Sequence, residues 1–199
     1  MNDQQLDAND IIIAFIDAQE GIVNVGATND PQRLRTAIAA LADLARIFAL
    51  PVRVSCVPTT GGTIAPLLAE LAARLPDAEP LVRTTPNAMN DPPFAAALAA
   101  VHRGTLIIAG IATEVAVRQA ALAARRANMR TIIAVDACSG LDPRTEAATF
   151  THLAANGIDL TTVATIAAEL AGDFASESGR AAMRVLQSTL VVRSHDHDT

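Results

Sequence analysis

The chain has 199 residues, 51% of them hydrophobic, and a net charge of −6, enough for one domain with a sizeable core. It holds no Trp, no Tyr and no Lys, so all 15 basic residues are Arg; there are 2 Cys and 42 alanines. This excludes the basic, aromatic face of a nucleic-acid binder, a zinc cluster or disulfide framework, a membrane span of roughly 20 apolar residues, and a signal peptide in the acidic first ten residues.

The first strand is predicted over residues 10–17, nearly continuous in apolar side chains, as for a strand covered on both faces. Asp30 and Pro31 open a long helix to about Ala49. Strand two covers 51–57, a Thr/Gly loop covers 59–62, and a helix runs over about 66–75. Strand three covers 80–84, and Pro92 and Pro93 start the next helix. Strand four covers 105–111 and its helix 114–129. Strand five covers 131–137. Asp142 and Pro143 start a fifth helix that stops at Asn156 and Gly157. Strand six covers 160–163, with helices from about Thr165 and over about 179–186. Alternating strands and helices with short connections predict an α/β fold, a doubly wound parallel sheet. The polar end of the chain, with His195 and His197, reads as a frayed tail. The alanine excess reads as GC-rich coding.

In such a sheet, ligands bind beyond the carboxyl ends of the strands. Asp17 ends strand one, followed by Gln19; Arg83 ends strand three; residues 110–114 carry strand four into a helix; Asp136 ends strand five. A poorly solvated carboxylate at Asp17 is suited to acid–base work, or equally to capping or pairing with an arginine. Arg83 suits a substrate carboxylate or an oxyanion, or a structural ion pair. The turn at 110–116 offers backbone N–H groups at a helix start, where Glu114 adds a favourable charge.

Residues 15–19 (FIDAQ), 87–94 (NAMNDPPF), 106–117 (LIIAGIATEVAV), 135–137 (VDA) and the pattern over 159–174 together resemble the isochorismatase-like cysteine hydrolase family, in particular its YcaC-type branch. The resemblance spans about residues 6–185. It implies a six-stranded sheet in order 3-2-1-4-5-6, a domain over 6–187 and a tail over 188–199. It implies a triad of Asp, a basic residue and Cys that attacks an amide or related carbonyl. Asp17 matches the Asp, and Arg83 the basic position. A cis peptide is implied between Ile111 and Ala112, with backbone there and near residue 116 as the oxyanion hole. Gln19, Asn87 and Thr113 are implied pocket residues. Asn87, Met89, Asn90 and Phe94 read as pocket lining or, equally, as a polar loop and a helix anchor.

The family's nucleophile position is Ala116, which closes the thioester route. Four accounts stay open: a replaced cysteine, natural loss with a retained pocket, a Cys-independent reaction with Asp17 as acid on a vinyl ether, and a thiol relocated to Cys56. Cys56 and Cys138, three strand steps or roughly 14 Å apart, are too distant for a disulfide and read as buried filler. The family's nicotinamidases carry metal-binding histidines, but residues 51–75 hold no His. No metal and no cofactor are therefore expected. A cytoplasmic homo-oligomer, tetramer or octamer, is expected, acting on a small-molecule substrate or merely binding one.

Overall fold

The computed structural model describes residues 5–194, so His195 and His197 lie outside the described residues. Six strands form one all-parallel sheet in the order β3-β2-β1-β4-β5-β6. They are β1 (Ile11–Ile16), β2 (Val52–Cys56), β3 (Pro80–Val82), β4 (Thr105–Ile111), β5 (Arg130–Ser139) and β6 (Asp159–Thr161). The helices between and after them are α1 (Pro31–Ile47), α2 (Ala69–Ala72), α3 (Pro92–Ala99), α4 (Arg118–Arg126), α5 (Pro143–Ala155), α6 (Val163–Ala171) and α7 (Glu177–Ser194).

The strand pleat explains why β1 is apolar throughout. Ile11, Ile13 and Phe15 enter one core layer, under α1, α6 and α7. Ile12, Ala14 and Ile16 enter the other, under α3, α4 and α5. Alternate side chains point to opposite faces, so a strand sandwiched between two helical layers must be apolar at every position. The helices start where the Asp-Pro signals placed them. Asp30 accepts from the Gln32 and Arg33 N–H groups, Asp91 from Phe94 and Asp142 from Arg144, each satisfying helix donors that otherwise lack partners.

Three segments depart from expectation. The predicted helix over 66–75 shrinks to the four residues of α2. Its first part is held extended: Leu67 bridges to Gln19, and Leu68 N–H bonds to Ala18 O at 3.0 Å. The helix predicted from Glu114 begins as a π-turn over Thr113–Val117, with Val117 N–H returning to Ala112 O at 3.4 Å, and becomes α-helical only at Arg118. β5 runs two residues past its predicted end, to Ser139. It resumes pairing with β4 after an irregularity, with Ile108 opposite Ile133 but Gly110 opposite Cys138. The bulged stretch brings Asp136 to α6, where its carboxylate accepts from Val163 N–H at 2.9 and 3.3 Å. Among the described residues no helix is long and apolar enough to cross a membrane.

Candidate active site

The ends of β1, β2 and β3 carry the candidate residues. Asp17 follows β1 with φ 54°, a left-handed conformation that Asp tolerates better than most residues. Its N–H bonds to Ser55 O at 2.9 Å, and its carbonyl accepts from Gln19 N–H at 2.8 Å. Arg83 follows β3, with its N–H bonded to Cys56 O at 2.9 Å. Its side chain crosses β2 to reach Asp17. Nε donates to Ser55 Oγ at 2.7 Å, one amino nitrogen donates to Asp17 Oδ2 at 2.6 Å, and the other donates to Thr85 O. The side chains of Arg83 and Asp17 are 1% and 6% exposed.

Burial raises the Asp17 carboxyl to about 6, although the adjacent Arg83 charge and hydrogen bond pull the other way. Removing a charge from water is expensive, and one 2.6 Å contact does not repay it here. The other carboxyl oxygen accounts for part of this. Asp17 Oδ1 is, among the described residues, the one buried side-chain N or O atom without a hydrogen-bond partner. Unsatisfied buried acceptors are rare, and each calls for a reason. The pair thus presents a guanidinium bonded on every nitrogen beside an open acceptor that takes up a proton not far below neutrality, an arrangement suited to moving a proton.

β4 ends hard against β1. A Cβ on Gly110 would lie 1.9 Å from Ile16 O, and Gly110 has φ +139°, so only glycine fits. The peptide Ile111–Ala112 is cis, as the family resemblance implies. Ala116, on the π-turn, is buried in the layer that contains Ile16, Ala88, Phe94 and Cys138. The polar side chains of this turn reach towards the start of α5. Thr113 Oγ1 donates to Glu146 Oε1 at 2.7 Å. Beyond a bond from its own backbone N–H, Glu114 serves the start of α5 rather than its own helix. Its carboxylate accepts from Leu141 N–H at 3.0 Å and from Thr145 Oγ1 at 2.7 Å. Burial disfavours its charge, but these bonds, with those from the backbone of Glu114 and Asp142, hold its carboxyl below the usual range.

The other expected pocket residues are engaged in structure. Gln19, fully buried, donates to Val57 O at 3.1 Å and Ala65 O at 3.0 Å, and accepts from Val57 N–H at 2.8 Å, clamping the base of the 57–65 loop. Asn87 Oδ1 accepts from Met89 N–H at 3.0 Å, and Nδ2 donates to Asn90 Oδ1 at 3.3 Å. Asn87 O accepts from Thr85 Oγ1 at 2.9 Å, which ties this loop to the Arg83 partner. Phe94 is 1% exposed and anchors α3 in the core. The structure therefore brings Asp17 and Arg83 into contact, and it sends Glu114 and Asp136 to cap neighbouring helices. The wider clefts, about 620 Å³ beside β6, about 550 Å³ between α1 and α7 and about 510 Å³ beside α2, do not have Asp17 or Arg83 in their walls.

Ser55 and Thr85 were not among the expected site residues, yet both hold Arg83. The signal for Ser55 is visible in hindsight: it is a hydroxyl at the end of an otherwise apolar-alternating strand, between the two strands that carry the ion pair. Cys56 and Cys138 are both free and buried. Burial first, then the Asp17 charge, push the Cys56 thiol up to about 12, against the pull of Arg83; burial likewise raises Cys138. Cys56 lies in the layer under α1, opposite the layer of Ala116. Among the described residues no group of three His, Cys, Asp or Glu side chains is placed to hold a metal.

The isochorismatase domain matches residues 11–165. "Probable hydrolase YcaC" of Escherichia coli K12 is 31% identical over 174 residues, covering 87% of this chain and 83% of that protein. Two solved structures superpose over 98% of the chain. YcaC from Pseudomonas aeruginosa, with hexane-2,5-diol and covalent acrylamide, has a TM-score of 0.87, 27% identity and 99% of its own chain covered. The E. coli YcaC gene product, described as an octameric hydrolase of unknown specificity, has a TM-score of 0.85, 29% identity and 98% covered. A family match over most of the sheet, and a relative above 30% identity along nearly nine-tenths of the chain, establish that this protein belongs to the isochorismatase family and carries its hydrolase scaffold.

Proposed function

We propose that the Asp17–Arg83 site binds an uncharged small molecule with an amide-type C–N bond, and that Asp17 is its proton-transfer group. The open Oδ1 of Asp17 carries this reading. A buried acceptor without a partner suits a ligand N–H. Each nitrogen of Arg83 is bonded internally, which takes three of its five N–H donors, and its charge already faces Asp17, so it is poorly placed to hold a substrate carboxylate. The ion pair is already balanced. A carboxylate ligand would add a second negative charge beside Asp17, and an ammonium a second positive charge beside Arg83.

Ala116 stands at the position of the family's nucleophile, and the backbone at Ile111, Ala112 and residue 116 at that of its oxyanion hole. With alanine there, the chain binds its ligand without forming a thioester. With cysteine there, Asp17 would take the thiol proton and the thiolate would attack the carbonyl carbon. The C–N bond would then break, the amine would leave with the proton from Asp17, and water would hydrolyse the thioester. A second reading rests on the raised Asp17 carboxyl: a carboxyl partly protonated near neutrality can act as acid on a vinyl ether with no thiol. Arg83's commitment weighs against the carboxylate-bearing members of that substrate class. The octameric E. coli relative supports a homo-oligomer, and a monomer in sedimentation at micromolar concentration would exclude one.

The deciding experiment is Ala116→Cys. The introduced thiol is expected to be alkylated by acrylamide faster than Cys56 or Cys138, read by peptide mass spectrometry, and Asp17→Asn in the same background should suppress that reactivity. An inert introduced thiol in a folded variant overturns the site assignment. Turnover of a vinyl ether by the unmodified chain, abolished by Asp17→Asn, would favour the second reading.

A further inference from the structure

Asp17 and Arg83 sit at the ends of strands that are not neighbours. β2 lies between β1 and β3, so their backbones are two strand spacings apart, about 10 Å. The guanidinium must therefore pass over β2 to reach the carboxylate. The residue it passes is Ser55, which pairs with Ile16 on one side and Leu81 on the other. Val54 and Cys56 point into the core layer under α1, so Ser55 faces the opposite layer by strand alternation. It is fully buried. Its Oγ takes Arg83 Nε at 2.7 Å, and its carbonyl takes the Asp17 N–H at 2.9 Å.

We propose that Ser55 is a positioning residue that carries the Arg83 guanidinium across β2 and fixes which oxygen of Asp17 it meets. Size and chemistry both matter here. A side chain much larger than threonine would block the crossing, and an apolar one would leave Nε–H buried without an acceptor. With Nε held by Ser55 and one amino nitrogen by Thr85 O, the planar guanidinium has one remaining direction, towards Oδ2. Oδ1 is thereby left open. The titratable group acting on Asp17 is Arg83; the Cys56 thiol, next to Ser55 on β2, feels the Asp17 charge in turn.

The functional value of this role rests on Asp17 being the proton-transfer group, but its test needs no turnover. The Asp17 carboxyl is titrated by carbon-detected NMR in the unmodified chain, Ser55→Ala and Ser55→Thr. Loss of the hydroxyl should loosen the guanidinium from Oδ2 and raise the proton affinity of Asp17 roughly threefold or more, while Ser55→Thr, which keeps the hydroxyl, should titrate as the unmodified chain does. An unchanged midpoint in Ser55→Ala, with only a loss of stability, overturns the proposal. So does a Ser55→Thr shift as large as the alanine one. Should Ser55→Ala not fold, Ser55→Cys, of similar bulk and weaker acceptor strength, is read by the same criterion. Failure of the amide-type reading would show instead in the Ala116→Cys experiment, with this titration unaffected.

Discussion

Lowering the pH from about 7 to about 5 should stabilise this protein through Asp17, the reverse of the usual behaviour of a paired carboxylate. The ordinary aspartate value is 3.8 and the folded value about 6. Between these values the folded chain holds a proton that the unfolded chain has released, so stability rises as pH falls through 6 and levels off below 3.8. At roughly 1.4 kcal/mol for each tenfold in proton affinity, the complete effect is about 3 kcal/mol, and the part gained between pH 7 and pH 5 is about 1.3 kcal/mol. Glu20 and Glu114, held below their ordinary 4.5, lose their contributions only at lower pH, so this window isolates Asp17. Urea unfolding of the unmodified chain and of Asp17→Asn, at one protein concentration and both pH values, gives the difference directly. The unmodified chain should gain about 1 kcal/mol on the variant as the solution is acidified. A loss instead would show that the 2.6 Å contact with Arg83 outweighs burial and that the carboxyl is held low. That result would remove the basis for an Asp17 that takes up a proton near neutrality.

Gly110→Ala should cost more than about 4 kcal/mol or prevent folding, because the new Cβ would overlap Ile16 O at 1.9 Å; a near-native urea midpoint would mean that β4 does not close on β1 this tightly. Gln19→Ala should cost roughly 2 kcal/mol or more and speed proteolysis within residues 57–65, since three hydrogen bonds to that loop disappear; unchanged cleavage would show that the loop holds itself. Cys56 and Cys138 should stay unreactive to a disulfide reagent in the native protein and react fully in denaturant, as their burial and raised thiols require; rapid native labelling of Cys56 would reopen it as a candidate nucleophile.

The parallel strands and the helices covering both faces were legible because their signals are strong and local, whereas the strand order was implied by the family resemblance. Uninterrupted apolar runs can only be strands covered on both sides, and Asp-Pro pairs mark helix starts by satisfying the first N–H groups. Asp17 and Arg83 were legible by position, at the carboxyl ends of strands, and by resemblance. The places that resisted reading are those where a long-range contact overrides local preference. Leu67 and Leu68 have a helical pattern, but the backbone of Gln19 and Ala18 draws them into an extended bridge. Glu114 looks like a charge for its own helix start, but the loop before α5 offers it better donors. Asp136 looks like a strand end, but the α6 terminus takes it. Ser55 gives only a faint signal, a hydroxyl near the end of β2, because its importance lies in what passes over it.

Every buried residue of α4 is an alanine: Ala120, Ala121 and Ala124. The abundance that looked like a coding bias thus divides into two populations with different fates under mutation. On exposed surfaces alanine can drift freely. Under α4 it sets how near the helix lies to the sheet, and so where the π-turn carrying Ala116 begins. Replacement there by serine or glycine should be tolerated, whereas valine or leucine would lift the helix and move the turn without touching it. In a saturation library these three positions should therefore accept only small residues, despite lying outside the Asp17–Arg83 ion pair.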